Sequence, residues 1–169
     1  ATKENIDIKA PSFRATLGRD KASFSFKVKS DTLKTNVTLY GNANVKSDTF
    51  ALAFHDSFIT IEKQKWKLKQ NCQITFNPNN QYLFVDSLAF RYHNQALLLR
   101  SKTINPKKVV QELDIVKFSI DSIPKVFGLA AYKLGGVIDG NLAVTNVFDI
   151  EKLTSNVKIA KLKAMDIVL

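Results

Sequence analysis

From Trp66 to Phe76 the apolar side chains occupy even positions and the wet ones odd positions. Trp66, Leu68, Cys72, Ile74 and Phe76 form one set, broken only by Gln70; Lys65, Lys67, Lys69, Asn71, Gln73 and Thr75 form the other. A period of two marks a strand with one apolar face and one wet face. Sustained over about a dozen residues at ~3.3 Å each, it predicts one strand about 40 Å long, roughly twice the usual length.

Other stretches repeat the pattern. Leu33, Val37, Leu39, Gly41, Ala43 and Val45 share one face with Thr35, while Lys34, Asn36, Thr38, Tyr40, Asn42, Asn44 and Lys46 share the other. Phe24, Phe26 and Val28 alternate with Ser23, Ser25, Lys27 and Lys29. Phe50, Leu52 and Phe54 open a strand whose phase shifts at His55-Asp56-Ser57. Asn77-Pro78-Asn79-Asn80 is a turn, with Asn suited to positive φ and Pro preset for a corner. In the return from Tyr82 to Phe90, Leu83 and Val85 are out of phase with Leu88 and Phe90, which predicts a bulge or corner near Ser87. His93-Asn94 makes a second tight turn before the strand Gln95 to Lys102, whose consecutive Leu97, Leu98 and Leu99 imply burial on both sides.

Asn105-Pro106 has the form of a helix start, and Val109, Val110 and Leu113 fit one helical face, although a strand entry fits equally. Val116, Phe118 and Ile120 alternate, and Ser122 to Gly128 reads as one helical turn. Leu134, Ile138, Leu142 and Val144 share a face with Gly136 and Gly140. The alternation passes through Asp139-Gly140 in phase, so one long strand is preferred there to a hairpin. The last strand carries Val157 and Ile159, then Met165, Ile167 and Leu169. The sum is a mainly all-β fold: about ten strands in a long-stranded antiparallel meander with one apolar face, and one or two short helical turns. There is no βαβ rhythm and no fixed repeat period.

Composition narrows the class. The chain has 169 residues and is 45% hydrophobic with 12 Phe, enough for a core in a single β-rich unit. Lys and Arg number 25 against 15 Asp and Glu, a net charge of +10. That balance fits either a solvated basic face or attraction to an anionic surface such as lipid headgroups. Nucleic acid is disfavoured, because the lysines alternate with apolar residues along strands and do not cluster with exposed aromatics. Cys72, the one cysteine, sits on the apolar side and reads as a small hydrophobe. No apolar run approaches the ~18 residues of a transmembrane helix. The start at ATKENIDI and the end at AMDIVL read as the cut ends of a piece of a longer protein.

No catalytic constellation stands out, and an enzyme is the least favoured reading. His55 and His93 each lie at a turn; Asp114, Asp121, Asp139, Asp149 and Glu151 form no pair flanked by a base. Metal-ligand spacing and a phosphate-binding Gly loop are absent from the sequence, so no cofactor is expected. Asn36-Val37-Thr38 matches a glycosylation sequon in mid-strand. The apolar stripes fit two readings equally: a closed sandwich or barrel core, or a groove left open for acyl chains. Strands of roughly twice the common 5 to 6 residues favour an extended curved sheet whose apolar side needs a cover or a ligand.

The block Phe50 to Lys102 resembles the repeating β units of the TamB family, the translocation and assembly module proteins of the AsmA-like superfamily. The likeness lies in FHDSFITIEKQKWKLKQNCQITF and FVDSLAFRYHNQALLLRSK, in the glycine-spaced strand LGGVIDGNLAVTN preceded by a short helical turn, and in LTSNVKIAKLKAMDIVL. Where the family often closes the glycine strand with another Gly, this chain has Asn146. The resemblance implies a taco-shaped or half-pipe β-sheet with a continuous hydrophobic groove. It implies a periplasmic protein anchored in the inner membrane that conducts phospholipids between inner and outer membranes and works with an outer-membrane barrel protein. On that reading the groove face includes Val37, Leu39, Trp66, Leu68, Ile74, Phe76, Ile138, Leu142 and Val144, with the three stripes side by side and Lys65, Lys67 and Lys69 on the wet outer surface. Acyl chains are the expected ligand, and a closed, dry core would count heavily against this reading. A chaperone that templates outer-membrane strands by β-augmentation is the alternative. A third reading, an adhesin or polysaccharide-binding domain, needs exposed aromatic platforms, and Trp66 falls on the apolar face.

Overall fold

The structure, a computed structural model, describes residues 8–19, 21–31, 34–61, 63–69, 72–105, 108–122 and 133–165. Twelve strands among them form one curved antiparallel sheet. They are β1 (Ile8–Leu17), β2 (Ala22–Ser30), β3 (Thr35–Lys46), β4 (Thr49–Ile61), β5 (Gln64–Leu68), β6 (Cys72–Asn77), β7 (Tyr82–Val85), β8 (Leu88–Tyr92), β9 (Gln95–Asn105), β10 (Lys108–Ser119), β11 (Lys133–Thr145) and β12 (Lys152–Met165). The hydrogen-bonded order is β1-β2-β3-β4-β5-β8-β9-β10-β11-β12, with β6 beside β4 and β7 beside β6. The expected long-stranded half-pipe is therefore the fold.

Several details differ from the sequence expectations. The stretch from Trp66 to Phe76 is two strands, β5 and β6, laid end to end along β4: Phe58–Ile61 pair with β5 and Phe50–Phe54 with β6. On their other side the partners change, β8 for β5 and β7 for β6. Of the two readings left open at Asn105, the strand entry is the one seen: Asn105 ends β9 and Val109 to Leu113 belong to β10. A 3-10 turn spans Ile120–Ser122; the expected helical turn from Ser122 to Gly128 lies, beyond Ser122, outside the described residues, as do Leu33, Pro106, Ile167 and Leu169. Val116 and Phe118 do not share a face, because β10 carries a bulge between Ile115 and Phe118.

Bulges are the device that keeps one face apolar. Phe54 and Ile59, Ile115 and Phe118, and Ile159 and Leu162 are each an odd number apart, so strict alternation would send one member to the wrong side. An extra residue in the left-handed region re-phases each strand: Asp56 (φ 46), Lys117 (φ 45) and Lys161 (φ 53). Asp86-Ser87 does the same between β7 and β8, as the phase of Leu83, Val85, Leu88 and Phe90 requires. The expected turns are present: Asn77 Oδ1 accepts from the Asn79 N–H (3.0 Å), and His93 turns the β8–β9 hairpin at φ 50. The chain runs through Asp139-Gly140 without turning, as one strand β11.

Candidate functional site

The pairing register assigns each strand residue to one of two faces. One face carries Phe24, Phe26 and Val28; Val37 and Leu39; Leu52, Phe54 and Ile59; Trp66 and Leu68; Cys72, Ile74 and Phe76. It continues through Leu83 and Val85; Leu88, Phe90 and Tyr92; Leu97 and Leu99; Leu113 and Ile115; Ile138, Leu142 and Val144; Leu153, Val157 and Ile159. From Pro11 to Lys163, no Lys, Arg, Asp or Glu at a described, register-paired position falls on this face.

Ring contacts give the direction of curl. Trp66 on β5 meets Phe118 on β10 at 5.4 Å between ring centroids, although β8 and β9 lie between the two strands. Three strand spacings of ~4.8 Å would hold them about 14 Å apart in a flat sheet. The sheet is therefore strongly concave on the apolar side. At the opposite end of the strands Phe76 meets Phe148, beyond β11, at 5.8 Å. Side chains also tie β7 down: Ser101 Oγ accepts from the Val85 N–H (2.7 Å) and donates to Gln111 Oε1. Gln111 Nε2 in turn donates to the Leu83 carbonyl (2.9 Å).

All nine sequence-predicted groove residues lie on the concave face, and they divide by burial. Trp66, only 4% exposed, is wedged between Tyr92 and Phe118, and Leu68 is buried beside it. Val37, Leu39, Ile74, Phe76, Ile138, Leu142 and Val144 are half-buried. The three stripes share the face without being adjacent: β4 separates β3 from β5 and β6, and β8 to β10 separate these from β11. The middle of the trough is filled by the chain's own side chains, with Trp66, Leu68, Cys72 and Val85 as its buried floor. Among the described residues nothing covers the two edge strands. Phe13 and Leu17 on β1, and Leu153, Val157, Ile159 and Leu162 on β12, point their apolar groups to the same side and are exposed. At one mouth a cleft of about 550 Å³ is lined by apolar Leu83, Val109 and Phe148 and by polar Gln111, Asn146 and Asp149.

Gly41 shapes the other flank. A Cβ there would stand 2.5 Å from the Phe24 ring and 2.6 Å from the Ala53 carbonyl oxygen. Phe24 instead lies across the glycine and meets Phe54 edge-on at 5.8 Å. Phe24, Phe54, Tyr92, Phe118 and the β12 stripe are parts of the face that were not among the nine; Phe118 was hidden by the Lys117 bulge, whereas alternation over Val157 and Ile159 was visible.

The convex face collects the charge. Lys27, Lys29, Lys65, Lys67, Arg91 and Lys102 project there, with Lys65 Nζ 3.9 Å above the Phe58 ring. Arg100 bridges Glu112 (3.0 Å) and Asp114 (3.2 Å) on the neighbouring strand. Burial pushes the Cys72 thiol above its ordinary pKa. The hydrogen bond from Lys108 and its charge hold exposed Glu151 below the usual carboxylate range, helped by Asn146. Among the described residues no three His, Cys, Asp or Glu converge as metal ligands, and no helix is long and apolar enough to cross a membrane. Comparisons with protein-family models, with curated proteins and with solved structures found no match.

Proposed function

We propose that the concave face binds acyl chains, and that the chain is a segment of a periplasmic bridge protein carrying phospholipid between inner and outer membranes. The observation that carries the reading is the separation of faces: among the described residues, charge at paired positions is kept off one apolar face whose edge strands are exposed. Soluble domains seldom leave such a surface uncovered without a ligand or partner for it. Acyl chains fit because no charged residue stands at a paired position of the described face, so a ligand held there by apolar contact, at about 0.8 kcal/mol per buried methylene, can translate along it. The likeness of Phe50 to Lys102 and of the glycine-spaced strand to TamB-type sequences supports the same reading. The filled middle assigns the work to the flanks: β11 and β12 on one side, β1 to β3 on the other, with the cleft at the mouth as an entry point.

The test is native mass spectrometry and lipid extraction of the purified chain, with Leu39→Asp and Leu142→Asp as probes. Phospholipid should co-purify and cross-link to the concave face, and either substitution should cut cross-linking sharply while the far-ultraviolet circular dichroism stays that of a sheet. A lipid-free protein, or variants that cross-link as well as the parent, would refute the reading.

A further inference from the structure

We propose that a second cleft, at the same end of the strands, holds the phosphate of an anionic phospholipid headgroup while its acyl chains lie on the concave face. The proposal rests on the acyl-binding reading and adds a headgroup site to it. The cleft begins with small residues. Leu17, Ala22, Ala43 and Leu52 stand in one register row across β1 to β4, so two alanines lie side by side between two leucines. The volume that larger side chains would fill is open as a hollow of about 420 Å³, bounded by Leu17 and by exposed Val45. The β1–β2 turn is closed by the Gly18 N–H, which donates to the Lys21 carbonyl at 2.8 Å. That turn and the end of β3 bring Arg19, Lys21 and Lys46 to the rim.

Charge selects the head. Among the described residues no Asp or Glu lines this cleft, and none pairs with Arg19, Lys21 or Lys46. Three positive charges gathered at one rim repel one another and gain from an anion set between them. They also repel the ammonium of a zwitterionic head. The apolar path then leads away from the rim: Val45 stands opposite Phe50, and Phe50 opposite Phe76, along the concave face. A chain tethered by its head therefore has a surface to lie on. At the far end of that row Phe76 meets Phe148, and the cleft there has the opposite character. Asn146 and Asp149 line it, and neighbouring Lys108 is bridged to Glu151 at 2.6 Å. Of the two clefts at this mouth, the one walled by the β1–β2 turn is the one that suits a negative head.

The probes are dihexanoyl phosphatidylglycerol and dihexanoyl phosphatidylcholine, both soluble as monomers, with glycerol phosphate as a head without chains. Amide chemical shifts followed through each titration read affinity and position together. The phosphatidylglycerol should bind roughly tenfold tighter than the phosphatidylcholine at low salt, with shifts centred on the β1–β2 turn and the end of β3. The preference should vanish at high salt and in R19Q/K21Q/K46Q, whose substitutions lie in turns and at a strand end. K65Q/K67Q/K102Q removes the same charge from the convex face and should keep the preference. Glycerol phosphate should bind far more weakly than the phosphatidylglycerol. Shifts centred elsewhere, a preference that survives R19Q/K21Q/K46Q, or one lost equally in K65Q/K67Q/K102Q would overturn the proposal. So would glycerol phosphate binding as tightly as the lipid, which would make a free phosphate ester the ligand. If the two lipids bind the concave face alike, the headgroup site fails and acyl binding stands; if neither binds, both fail.

Discussion

Gly41 leaves a space that the Phe24 ring occupies, and the space is bounded on its other side by backbone. A flexible side chain can give way to a new methyl group; the Ala53 carbonyl cannot. Gly41→Ala should therefore cost about 1–3 kcal/mol in urea denaturation, the usual range for overpacking. Trp66→Ala should cost more, about 3–5 kcal/mol, because it empties the contact between Tyr92 and Phe118. Cys72 is fully buried with a raised pKa, so a thiol reagent should label it only as fast as the strands open, and at once in denaturant. Glu151 has the opposite shift. A carboxyl held below its unfolded pKa stabilises the fold above that pKa and loses the contribution as pH falls through the folded value. The stability difference between the parent and Glu151→Gln should thus be present at neutral pH and close in acid. The apolar identity of Trp66, Leu68, Ile74 and Phe76 was legible from their spacing. Which of them form a floor and which remain half-open was not, because that depends on contacts across the curl.

At the scale of the strand, alternation was informative wherever a strand and its register run together. It gave β3, β11 and the phase shift at His55–Ser57, which the structure resolves as an extra residue on β4 with Asp56 at positive φ. It failed between Leu68 and Cys72. Both β5 and β6 pair with β4, so their faces stay in phase across the break, and periodicity along one chain carries no sign that the partner on the far side has changed. It failed again at Lys117, where an apolar residue on each side of a bulge imitates a continuous period. Lys117 in the left-handed region is strained relative to glycine, by about 1 kcal/mol. Lys117→Gly should raise the thermal midpoint, whereas Lys117→Val should lower it; calorimetry of the pair measures what the bulge costs.

At the scale of the molecule, the strand pattern predicted a curved sheet with one apolar face, and the sheet has that form. The depth of the curl could not be read from the chain, because it is set by long-range contacts between Trp66 and Phe118 and between Phe76 and Phe148. The net charge of +10 also acquires a location, since the paired strand positions put their lysines and arginines on the convex side. A body with hydrocarbon on one side and ammonium groups on the other is a surfactant of fixed shape. Where oil meets water it has one favourable orientation, trough to the oil and lysines to the water, which a randomly patterned protein of the same composition would lack. Spread on a Langmuir trough, the protein should raise the surface pressure without unfolding, as infrared reflection of its amide bands would register. It should also rise further under a monolayer of anionic headgroups at low salt than at high salt.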